Sequence, residues 1–88
     1  MNKTQQWLDN YYIKLATIDS TEAVSILKEF LQQSIKLYDF DDLEYLLDNI
    51  DMNKVPYECL NTIVKTLRPY CSEFEFWYEF VADVKKRK

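Results

Sequence analysis

The sequence predicts an all-α protein: about five short antiparallel helices, packed as a small bundle or as a short stack of αα-hairpins. Three observations carry that prediction. Apolar residues recur at helical spacing from Trp7 to Val84. Glycine is absent and there are only two prolines, so the Gly-dependent turns that join β-strands cannot be built. The 88 residues make one domain, and two Trp, seven Tyr and five Phe can supply its core without a metal or a disulfide.

The first helix is predicted over residues 3–16, with Trp7, Leu8, Tyr11, Tyr12, Leu15 and Ile18 on one face. Asp19 is a suitable N-cap for the second, with Glu22 three residues on as in a capping box. Over residues 20–38 this second helix carries apolar side chains from Ala23 through Leu27, Phe30 and Leu31 to Tyr38. They cover half its circumference, more than the ~100° stripe of a surface helix, which places it at the centre with neighbours on two sides. Asp39 can cap the third helix, residues 40–50, whose inner face is Phe40, Leu43, Leu46, Leu47 and Ile50.

Residues 51–55 form a short loop. Pro56 suits the first turn of the fourth helix, where a missing N–H costs nothing. Leu60, Ile63, Val64 and Leu67 make its core stripe, and Pro69 is expected to end it. The fifth helix is predicted to start at Ser72, with Glu75 completing a capping box. Phe74, Trp77, Tyr78, Val81 and Val84 form its core face. Short loops make successive helices neighbours. The third and fifth helices also align: Phe40, Leu43, Leu46, Leu47 and Ile50 match Phe74, Trp77, Phe80, Val81 and Val84 at an offset of 34. That is the period of tetratricopeptide repeats. The Gly, Ala and Pro positions of that consensus are unfilled and the second and fourth helices align poorly, so no family is assigned.

Several function classes are excluded by composition. There is no histidine, hence no Ser-His or Cys-His pair, and zinc would have only Cys, Asp and Glu to bind. Without glycine there is no phosphate loop or dinucleotide fingerprint. An EF-hand would need an acid or amide where Leu43 stands, and a glycine. No catalytic, cofactor-binding or metal residues are assigned; no enzyme activity, cofactor or small-molecule substrate is expected. No apolar run of about 18 residues could span a membrane. Residues 1–9 are polar and acidic, unlike a signal peptide, so a cytoplasmic protein is expected. Cys59 and Cys71, near the two ends of the fourth helix, should lie on the order of 18 Å apart. A disulfide needs Cα atoms within about 7 Å, so two thiols are expected.

Three features are candidate sites. Six acids and no base lie between Asp39 and Asp51, and Asp41, Glu44, Asp48 and Asp51 are expected to share one helical face. The plain reading is a solvated face; the sharper one is a charge row for a basic surface, imitating nucleic-acid phosphates. The basic tail, residues 85–88, is Lys85, Lys86, Arg87 and Lys88. It matches the negative end of the last helix dipole, or contacts an anion. Of eleven basic residues the tail holds four, leaving seven against fifteen acids in residues 1–84, a net charge of −8 there. Direct duplex nucleic-acid binding is therefore not expected. The third feature is a flank of Phe76, Phe80 and Trp77 beside the core face of the last helix, either internal core or a protein contact. A protein partner or a second copy of the chain is expected there. The expected function is a small non-enzymatic protein–protein interaction module: an adaptor, inhibitor or assembly partner. The alternative is a regulator of a nucleic-acid system, acting through the basic tail or as an acidic inhibitor of a nucleic-acid-binding protein.

Overall fold

A computed structural model describes residues 2–88, and among them there are helices and no strand. The elements are α1 Lys3–Leu15, α2 Ser20–Lys36, α3 Phe40–Asn49, α4 Tyr57–Leu67 and α5 Trp77–Lys85, with a 3-10 segment Arg68–Glu73 before α5. None of these helices is long and apolar enough to cross a membrane.

The ends of α1 and α2 follow local chemistry. Asn2 Oδ1 accepts from the N–H groups of Thr4 and Gln5 at 2.8 and 3.2 Å. Asp19 Oδ1 accepts from the Glu22 N–H at 2.8 Å, the N-cap that the sequence predicts. Asp39, by contrast, makes no side-chain cap on α3. Its backbone already closes α2: the Tyr38 N–H donates to the Ile35 carbonyl at 3.0 Å and the Asp39 N–H to the Ser34 carbonyl at 2.9 Å. That closure puts its central residue in the left-handed region, where glycine is favoured. With no glycine in the chain, Tyr38 takes the position at φ 55°, a strain of about 1–2 kcal/mol.

The last helix starts later than its sequence predicts. Ser72 and Glu75 form no capping box. Residues Arg68–Glu73 wind as a 3-10 segment, Phe74 is extended (φ −117°, ψ 120°) and α5 opens only at Trp77. The fourth helix ends at Leu67, just ahead of Pro69 as expected, and the chain winds on as a 3-10 segment with Pro69 in its first turn, where no N–H is required of it. Burial of Phe74 overrides the local signal, because the extended link turns its ring into the core, 6.2 Å from the Phe40 ring. The Glu75 N–H then donates across the fold, to Glu44 Oε2 at 3.0 Å.

Packing pairs alternate helices. The most extensive interface is α2 on α4; α1 packs on α3, α2 also touches α3, and α4 carries the 3-10 segment and α5. This is the pairing of stacked αα-hairpins. The core pattern repeats accordingly. Leu8, Tyr11, Tyr12 and Leu15 recur as Leu43, Leu46, Leu47 and Ile50 at an offset of 35, and Ala23, Leu27 and Leu31 as Cys59, Ile63 and Leu67 at 36. The second and fourth helices thus align after all; their connections differ in length, so their offset is not 34. Leu27 and Leu31 are fully buried at the centre of α2, whereas Phe30 is half-buried and stacks on Trp7 with ring centroids 4.2 Å apart.

One buried polar cluster ties the two hairpins. The Tyr11 hydroxyl donates to the Ala23 carbonyl at 2.7 Å and lies 3.3 Å from Cys59 Sγ. Burial, and then the neighbouring Cys59, push the Tyr11 phenol far above its ordinary range. Burial likewise pushes the Cys59 thiol up. Cys59 and Cys71 are both free.

Candidate functional site

The third helix has two long edges, and the chain treats them differently. Along one edge α1 closes against it. The Tyr45 hydroxyl donates to Gln5 Oε1 at 2.8 Å, the Asp51 N–H donates to the Tyr12 hydroxyl at 2.8 Å, and Lys3 Nζ lies 3.4 Å from Asp42. Along the other edge α5 stands off, leaving a cleft of about 450 Å³. Its ends are tied: Glu44 to the Glu75 N–H at one, and Arg87 Nη1 to Asn53 Oδ1 at 2.6 Å at the other. These two ties also show that α3 and α5 run the same way along the cleft.

The floor is apolar, formed by Leu47, Ile50, Met52, Phe74 and Phe80, and Phe76 lines the cleft with them. On α3 the acids Glu44 and Asp48 stand at i and i+4, one turn above the other, and Asp51 joins them from the loop past the end of the helix, beyond the extended Ile50. On α5, Glu79 and Asp83 form the facing row, and Arg87 is the one cation lining the cleft. Two of these acids serve the fold as well. Glu44 receives the Glu75 N–H, and Asp51 Oδ1 receives the Asn53 N–H at 2.9 Å. Asp48, Glu79 and Asp83 are exposed. The chemistry this arrangement offers is recognition: an apolar depression walled by fixed negative charge. Among the described residues no group of three or more potential metal-binding side chains is placed to hold an ion.

Of the acidic face read from the sequence, Glu44, Asp48 and Asp51 line the cleft and Asp41 does not; Asp51 does so from the loop rather than from the shared helical face expected, because α3 ends at Asn49. Of the aromatic flank, only Phe76 is exposed, at 51%. Trp77 and Phe80 are core residues, 4% and 5% exposed, so they are not a free surface. The cause is the late start of α5. A helix opening at Trp77 turns Trp77, Phe80 and Val84 inward and sends Tyr78, expected in the core, out to 83% exposure. The basic tail is partly engaged: Arg87 is bonded to Asn53, Lys86 Nζ lies 3.9 Å from Asp83, and Lys85 and Lys88 are exposed.

Sequence reasoning missed Met52, which lines the cleft, and Asn53, which bonds Arg87 at its end; both lie in the loop after α3 and follow no helical period. It also missed an aromatic cluster at the end of α2. Tyr38 is 82% exposed, with Phe40 6.4 Å from it and Tyr70 5.8 Å from Phe40. The signal for it was the lack of a glycine to end α2. No family model, curated protein or solved structure matches the chain.

Proposed function

We propose that this protein is a small, cytoplasmic, non-enzymatic protein–protein interaction module that holds a segment of its partner in the cleft between α3 and α5. The observation that carries the reading is convergence. An acidic row and an exposed phenylalanine, 25 to 32 residues apart in the chain, face one open cleft with an apolar floor. Interfaces concentrate their energy in a buried aromatic anchor ringed by polar contacts, and Phe76 among Asp48, Glu79 and Asp83 has that composition. Two free thiols suit a reducing compartment.

A second reading uses the same acidic row. The protein would regulate a nucleic-acid system by occupying the basic surface of a nucleic-acid-binding protein with Glu44, Asp48 and Asp51. The version acting through the basic tail is the weaker of the two, because Arg87 is bonded to Asn53 and the rest of the chain is strongly acidic.

The test is a photo-crosslinking amino acid placed at position 76, in the host cell, with a second version at exposed Gln32 as control. Protein adducts at 76 and not at 32 are expected; a second copy of the chain counts as an assembly partner. Equal adducts at both positions, or none at 76, would remove the cleft as the interface. Purified complexes then separate the readings by salt. An interface anchored on Phe76 retains affinity as salt rises, while one made by the acidic row alone loses it steeply.

A further inference from the structure

We infer that the occupant of the α3–α5 cleft is a cationic amphipathic helix: a segment carrying one large apolar side chain for the floor, flanked on both sides by Lys or Arg spaced one turn apart. This rests on the interaction reading above and adds the chemistry of the partner.

The charge of the walls selects the cations. Five carboxylates and a single guanidinium line the cleft. A neutral or acidic segment entering it would strip water from those carboxylates without pairing them, which opposes binding. A segment with Lys or Arg at its flanks pairs them. Leu47, Ile50 and Phe76 select the apolar residue, because cations alone would leave the floor and the exposed ring of Phe76 wet.

The spacing selects the helix. Glu44 and Asp48 on α3, and Glu79 and Asp83 on α5, each stand one helical turn apart, about 5–6 Å. Cations one turn apart on a docked helix advance by the same step. An extended strand has no edge to join, since the described residues contain no strand.

The probe is a fluorescein-labelled, end-blocked peptide of about fourteen residues, leucine and lysine in amphipathic helical order. A scrambled peptide of the same composition and a leucine–glutamate version accompany it. Anisotropy titration and amide chemical-shift mapping on the full chain are the readouts. Saturable binding is expected, with shifts concentrated in residues 44–52 and 74–87. Phe76→Ser and Glu79→Lys should each weaken it about tenfold or more. Glu29→Lys makes the same charge change at a smaller cleft between α1 and α2, which Lys14 and Glu29 share; it should change affinity by less than about twofold. The inference is overturned if the scrambled peptide binds as well, if Glu29→Lys weakens binding as much as Glu79→Lys, or if no saturable binding is seen. Crosslinks to a partner at position 76 without peptide binding would leave the interaction reading standing and remove the cationic helix. Absence of both would remove both.

Discussion

The two seams of α3 make a controlled comparison within one small chain. Both join α3 to a helix running alongside it, and both have apolar side chains beneath. Against α1, the acids of α3 meet a lysine and its neighbours meet hydroxyl and amide groups: Lys3 faces Asp42, Gln5 faces Tyr45, Tyr12 faces the Asp51 N–H. Against α5, the acids of α3 face Glu79 and Asp83. Closing the second seam would press like charges together in a partly dried space, so it stays open. Hydrophobic burial is available at both seams; the sign of the charge opposite α3 decides which one seals.

The largest expected effects test whether both flanking helices belong to the core. Leu8→Ala, on the closed seam, and Trp77→Ala, on α5, should each destabilise by about 2–5 kcal/mol. In a domain with ~5–10 kcal/mol in total, each would lower the melting temperature by well over ~10 °C or unfold the chain. If Trp77→Ala melts with the parent by circular dichroism, α5 is not seated and the comparison collapses.

Next in size is the buried Tyr11 cluster that holds the hairpins behind the closed seam. Tyr11→Phe leaves Cys59 without its partner and should cost about 1–2 kcal/mol. It also bears on pH. In the unfolded chain the Cys59 thiol and the Tyr11 phenol release protons near 9.0 and 10.0, while the folded state keeps both protonated to higher pH. The stabilising difference is fully present below about pH 9 and is lost as pH rises from there. Urea midpoints should therefore be level from neutral pH to about 8.5 and fall above 9, and Tyr11→Phe should flatten the fall beyond pH 10.

Smaller effects sharpen the open seam. Phe76→Ser removes a half-exposed ring and should cost only about 1 kcal/mol, far less than Trp77→Ala one residue later. Glu79→Lys replaces a like charge with an opposite one across the cleft and should stabilise by about 0.5 kcal/mol, an increment that vanishes at high salt. A loss of stability in Glu79→Lys, read from denaturant midpoints, would show that charge is not what holds the seam open.

Much of this architecture was legible in the sequence where one local rule acts alone. The helical periods of residues 3–67 and the Asp19 cap are of that kind. The misreadings fall where two rules compete. Asp39 offers a cap, but the closure of α2 at Tyr38 fixes its backbone first. Ser72 and Glu75 spell a capping box, but the burial of Phe74 stretches the chain through it, and the inward face of α5 shifts with its start. For the site, Glu44 and Asp48 were readable because their spacing is helical, whereas Asp51 reaches the cleft from beyond the end of α3. The meeting of these acids with Phe76 was not readable, since it depends on contacts between residues 31 and 34 apart, Glu44 with Glu75 and Asn53 with Arg87.

The two thiols give this stack a clock with two hands. Cys71 is half-buried in the 3-10 segment, at the end of the stack, and Cys59 is sealed between the hairpins with no exposed surface. A thiol reagent in excess reaches Cys71 partly in the folded state and fully when the 3-10 segment loosens, but reaches Cys59 only when its surroundings open. Cys71 reports fraying of the 3-10 segment that leads into α5 from α4, a local event of low free energy. Cys59 reports separation of α2 from α4, which approaches global unfolding. The ratio of the two labelling rates, taken with and without a bound partner, measures how far occupancy of the cleft slows the fraying of α5 while leaving the hairpins behind it to breathe at their own rate.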